Sequence, residues 1–157
     1  MEGLHCLNDE LTPYINNDIK YKIYLSPFMP LNLDSNNYIS TTDLRLIRRM
    51  IRDNRTRGND VSKTIYTWQD VRSGEEKYIF PYINTSDVII NTSLVYELGV
   101  LKVFAEPLLY SVGTDSVYYE EARRLINFLK NYYPISSEYI ADDCVLREFI
   151  GGSCFES

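Results

Sequence analysis

A chain of 157 residues is long enough for one domain with a substantial core, and 45% hydrophobic with 24% charged residues is the make-up of a globular protein rather than a disordered or fibrous one. The formal net charge of −6 argues against general nucleic-acid binding. No apolar run approaches the roughly 20 residues that span a bilayer, and Met1 to Asn8 carry no basic-then-apolar signal region, so the sequence predicts a cytoplasmic protein without membrane association.

The first residues, Met1 to Asn8, leave no room for a strand before them. Lys20 to Leu25 alternates and is rich in Tyr and Ile, which predicts a strand. A loop punctuated by Pro27, Pro30, Asn32, Asp34, Asn36 and Asn37 follows. Thr41 to Arg57 then reads as a helix. Ser40, Thr41 and Thr42 offer N-caps, Asp43 suits the positive end, and Gly58 stands where a left-handed C-cap belongs. Leu44, Ile47 and Ile51, with Leu46 and Met50, fill one face, and Arg45, Arg48, Arg49 and Arg52 recur on the other. The expectation is a helix that buries one side and presents a row of guanidiniums.

A polar helix is expected from about Val61 to Val71, stopping near Ser73-Gly74, and a short apolar strand over Asp87 to Asn91. Leu94 to Phe104 reads as helical until Pro107, and Tyr118, Ala122, Leu125, Ile126, Leu129 and Tyr132 mark the apolar face of a helix from about Ser116 to Asn131. Two short apolar strands separated by helices predict an α/β protein with a parallel sheet. Two strands make a poor sheet by themselves, so part of the sheet is expected to be missing.

Cysteines and charge narrow the chemistry. Cys6, Cys144 and Cys154 form no C-x-x-C pair, and with His5 as the one histidine neither a disulfide framework nor a zinc site is expected. Thr41 to Gly58 holds six arginines and two aspartates, a local charge of +4, so the remainder of the chain carries −10. One basic patch on an acidic protein points to a small anionic ligand rather than a polyanion.

The run Asp43-Leu44-Arg45-Leu46-Ile47-Arg48-Arg49-Met50-Ile51-Arg52-Asp53, followed by Thr56-Arg57-Gly58, resembles the lid of uridine kinases and their phosphoribulokinase relatives, which carry R-L-x-R-R-x-x-R-D-x-x-x-R-G after a strand. Glu2-Gly3-Leu4-His5 is similar to the E-G-[IL]-H that ends that family's second acidic motif. Gly74 to Pro81, the strand Asp87 to Asn91, and the ending Leu146-Arg147-Glu148-Phe149-Ile150-Gly151-Gly152-Ser153 extend the likeness over nearly the whole chain, in the family's order. The resemblance implies the C-terminal portion, 1–157, of a P-loop-kinase-like three-layer fold: a short parallel sheet flanked by helices, a lid helix over about 41–58 and a helical part over about 94–157.

What it implies about chemistry is transfer of the ATP γ-phosphate to the sugar hydroxyl of a nucleoside such as uridine or cytidine. Arg49, Arg52 and Arg57 would act in catalysis by closing over the phosphates, with Arg48 assisting Arg52 and Arg57 in nucleotide binding. Glu2 would approach Mg2+, and His5 and Tyr78 would touch the substrate. Arginine suits the lid because its planar fork gives two parallel hydrogen bonds to phosphate oxygens and stays protonated. The departures matter equally. No G-K-[ST] occurs in the chain, the family's phosphate loop and proton-accepting aspartate fall upstream of Met1, and Asn59 stands where some uridine kinases place another basic residue. Gly151-Gly152 has neither the spacing nor the lysine of a phosphate loop. This chain alone is therefore expected to be inactive. The expected partners are ATP, a nucleoside, and the missing N-terminal half or a second copy. The alternative is a non-catalytic phosphate-binding or assembly module left by truncation.

Overall fold

The computed structural model describes Gly3 and residues 6–155. These form two compact units, one from residues up to Ser26 with Thr67–Thr92, the other from Pro27–Tyr66 with Ser93 onward. The fold is mixed α/β, with a two-stranded parallel sheet and five helices, consistent with part of a P-loop kinase fold.

The first unit is built on the sheet. Strand β1 (Ile23–Ser26) pairs in parallel with β2 (Val88–Asn91), Ile23 opposite Val88 and Ser26 opposite Asn91. Asp87 anchors the register, its carboxylate accepting from the Lys22 backbone N–H at 2.7 Å. Successive side chains alternate between faces, so Ile23, Leu25, Val88 and Ile90 share one face. Ile23, Leu25 and Ile90 are 49, 59 and 45% exposed. Asp9 ties the preceding segment down by bonding Lys20 and Lys22 at 3.0 and 2.7 Å, and those two cations hold its carboxyl below the ordinary range.

The second unit is helical. Helix α1 (Thr41–Arg57) has the bounds its caps dictate: the Ser40 hydroxyl accepts from the Asp43 N–H at 3.4 Å, and Gly58 at φ 63° donates to Asn54 and Asp53 carbonyls. Only a residue free to take the left-handed region closes a helix this way at low cost. Helix α2 (Val61–Tyr78) starts in this unit and runs into the other. It passes through Ser73-Gly74, where a stop was expected. A helical glycine costs about 1 kcal/mol relative to alanine, too little to end a helix.

Helices α3 (Glu97–Tyr110) and α4 (Tyr119–Leu129) pack together, and α3 packs on α1. Pro107 lies inside α3 rather than ending it, because the buried Ala105 and Leu109 hold the last turn against the core. That core is Leu44, Leu46, Ile47, Met50 and Ile51 of α1 with Leu98, Val100, Leu101 and Leu109 of α3, joined by Leu125 and Leu129 of α4. The apolar stripe expected on α1 is thus its buried face. At Gly99 an added β-carbon would lie 2.7 Å from the Tyr133 carbonyl oxygen, so the segment after α4 crosses α3 at a contact only glycine allows. A short helix, α5 (Arg147–Ile150), packs on α1 through Phe149 and Ile150. No described helix is long and apolar enough to cross a membrane.

Candidate functional site

Five of the six arginines of α1 divide into three groups according to what they meet. Arg48 corrects the expectation of an outward row. It is 6% exposed, its Nη2 lies 2.5 Å from Glu97 Oε2, and its guanidinium sits 4.9 Å from the Phe149 ring centroid. Glu97, at the start of α3, is fully buried, and burial pushes its carboxyl above the ordinary value against the pull of Arg48. Two charges taken from water are tolerated only when paired. Arg48 is accordingly a buried residue tying α1 to α3.

Arg49, Arg52 and Arg57 converge on one carboxylate. Asp53 is 2% exposed at its side chain, with Arg57 Nη1 at 3.0 Å, Arg49 Nε at 3.2 Å and Arg52 Nε at 3.6 Å. Arg57 donates a well-aligned hydrogen bond to Asp53. The Nε atoms of Arg49 and Arg52 are buried without one, so their attraction to Asp53 is mainly Coulombic. The i, i+4 spacing of Arg49–Asp53 and Asp53–Arg57 makes this cluster a product of helix geometry. Arg57 remains more than half exposed.

The third group faces the C-terminal segment. Arg52 Nη1 also reaches Glu148 Oε1 at 3.2 Å, while Arg55 donates to the carbonyls of Phe149 (3.1 Å) and Glu148 (2.7 Å). Arg147 in turn donates to the carbonyls of Ser137 (3.1 Å), Ile140 and Gly151 (3.4 Å). The ending Leu146 to Ser153 is therefore laid against α1 by arginines at both ends. Nothing in its local pattern foretold this, since the contacts join residues more than ninety positions apart.

Three candidates remain. Glu2 and His5 lie outside the described residues. Tyr78, at the end of α2 in the other unit, is 40% exposed, with the Lys77 ammonium 4.9 Å from its ring centroid. For Mg2+ the described residues do not fit. Asp53 is surrounded by three guanidiniums, and no group of three or more His, Cys, Asp and Glu among the described residues could hold a metal ion. Guanidiniums with exposed edges, in contrast, fit the phosphate oxygens of ATP.

A family model, "Phosphoribulokinase / Uridine kinase family", matches residues 1–97, and the chain belongs to this family of ATP-dependent kinases. The match takes in the E-G-L-H segment, α1 and both strands; the ending Leu146 to Ser153, read above as part of the likeness, lies beyond it. Neither a curated protein nor a solved structure matches the chain.

Proposed function

We propose that this chain is the C-terminal part of a nucleoside kinase of the uridine and cytidine type, in which Arg49, Arg52 and Arg57 close over the ATP phosphates. The observation that carries the reading is the convergence of those three guanidiniums on Asp53. Phosphoryl transfer asks a protein chiefly for alignment and for positive charge around the transferring group. A buried carboxylate that gathers arginines on one side of a helix supplies such charge already oriented, with the Arg57 edge open. Arg48 has no part in this lid.

The chain holds no G-x-x-x-x-G-K-[ST] sequence. Without that loop's backbone donors and lysine the β- and γ-phosphates lack a cradle, and so we assign no turnover to this chain alone. Assayed with ATP, Mg2+ and uridine, it gives none; turnover comparable to an intact kinase overturns that assignment. The lid is tested separately by titration with a fluorescent ATP analogue. Arg57→Gln weakens binding about tenfold, the worth of one charged hydrogen bond; binding equal to the parent removes the lid reading.

One observation favours a second reading, an assembly module. The sheet face of Ile23, Leu25 and Ile90 is exposed, and among the described residues each strand has one neighbour. Parallel strands are normally covered on both faces, and bare edges attract partners. A concentration-independent monomer in sedimentation equilibrium rules against self-assembly through this face.

A further inference from the structure

The ending Leu146 to Ser153 meets the proposed lid arginines through Glu148 on Arg52, and it also walls a cavity of about 450 Å3 in the helical unit. Such a volume lies within the roughly 300–1,000 Å3 typical of small-molecule sites. Arg55, Arg147, Glu148, Gly151, Gly152 and Ser153 line it, with Phe155 as an apolar wall. Arg48, Arg49, Arg52 and Arg57 do not.

Several unpaired donors belong to the residues that line it. The Nε and Nη2 of Arg55 are spent on the Phe149 and Glu148 carbonyls, which fixes the guanidinium and leaves Nη1 without a partner among the described residues. The backbone N–H groups of Gly152 and Ser153 likewise have no acceptor among the described residues. The Ser153 hydroxyl accepts from Phe155 N–H at 3.1 Å, so its proton is left to donate. Both glycines have left-handed φ, 90° and 75°. A β-carbon would sit 3.4 Å from Arg55 Cδ at Gly151 and 3.2 Å from Arg147 Nη1 at Gly152. Glycine therefore keeps the backbone close to both guanidiniums.

Glu148 is paired with Arg52 at 3.2 Å and Arg147 lies 3.6 Å from Asp142, so with Arg55 and Asp143 the charge around the cavity is close to balanced and selection falls to the donors left unpaired. A planar carboxylate is best held by a guanidinium fork, and the fork of Arg55 is already used. Single donors carried by separate groups suit a tetrahedral group with three oxygens better than a planar one. We propose that this cavity is a second ligand site that takes a small phosphate monoester, its phosphate held by Arg55 Nη1, the Ser153 hydroxyl and the Gly152 and Ser153 N–H groups. The site stands on the helical unit alone, whatever the lid does.

The test is a titration of the 15N-labelled chain with ribose 5-phosphate, with inorganic phosphate and with acetate. Ribose 5-phosphate produces saturable shifts of the Gly152 and Ser153 amides, inorganic phosphate produces weaker ones there, and acetate none. Arg55→Gln raises the dissociation constant about tenfold and Ser153→Ala about threefold, while Lys130→Gln, an equal loss of charge elsewhere, leaves it unchanged. No saturable shift at residues 152 and 153 overturns the proposal, as does an equal response to acetate or shifts confined to Arg49, Arg52 and Arg57. If Arg55→Gln disturbs the docking of α5, Ser153→Ala decides alone, and a change below about twofold overturns the site.

Discussion

The two units bury their apolar residues to very different degrees. In the helical unit Leu44, Ile47, Leu98, Leu101, Leu125 and Leu129 have no exposed surface at all, and even a charged pair, Arg48 with Glu97, lies in the interior. In the sheet unit the described apolar core is Leu7 and Trp68, while the strands leave Ile23, Leu25, Ile89 and Ile90 about half exposed. Buried apolar area is the main favourable term in folding. The helical unit therefore has the means to hold itself together, and the sheet unit draws chiefly on backbone bonds and on ion pairs such as Asp9 with Lys20 and Lys22.

The sharpest way to break this contrast is at the buried pair. Arg48→Ala strands Glu97 and costs about 3–5 kcal/mol in urea unfolding, whereas Arg48→Met with Glu97→Leu returns to within about 1 kcal/mol of the parent. Equal losses in the single and double variants would show that the charges do not depend on each other. Next in size is a truncation in each unit: Leu98→Ala costs about 2–5 kcal/mol, Ile89→Ala under about 1. Similar values for both would erase the difference between the units.

Hydrogen exchange sharpens the same point without mutation. Amides of β1 and β2 exchange on the order of a hundredfold faster than those of Leu101 and Ala105. A pH series then isolates Glu97. Its carboxyl is raised above the ordinary 4.5 by burial, so the folded chain binds the proton more tightly than the unfolded chain. Its contribution to stability is complete below pH 4.5 and is lost as pH rises through the elevated value. Arg48→Met with Glu97→Leu flattens that slope in midpoint measurements. The smallest effect is at the surface: Glu148→Gln removes the half-exposed contact to Arg52 and changes stability by less than about 1 kcal/mol.

Local signals carried far in the sequence, and distant ones did not. The ends of α1 were readable because Ser40 and Gly58 cap it from within one turn. The first strand was readable from its alternation and its Tyr and Ile content and the second as a short apolar run, the first displaced toward Ser26 because the ladder to β2 decides where it starts. The length of α2 and the passage of α3 through Pro107 were not readable, since packing overrides a single unfavourable residue. At the site, the meeting of Arg49, Asp53 and Arg57 follows from local i, i+4 spacing, although the expectation was a row of guanidiniums facing outward. The burial of Arg48 depends on Glu97, 49 positions away. One clue was on the page: an acidic residue heading the apolar run Leu98-Gly99-Val100-Leu101 needs a cation in the core.

Asp53 has three claimants where one would neutralise it. On the proposed lid reading an incoming anion would draw off Arg57, the most accessible of them, while Arg49 and Arg52 keep the buried carboxylate compensated. Redundancy of this kind lets a helix lend out a cation without unsettling the interior beneath it, so capture and release of a ligand need not be bought with the stability of the fold.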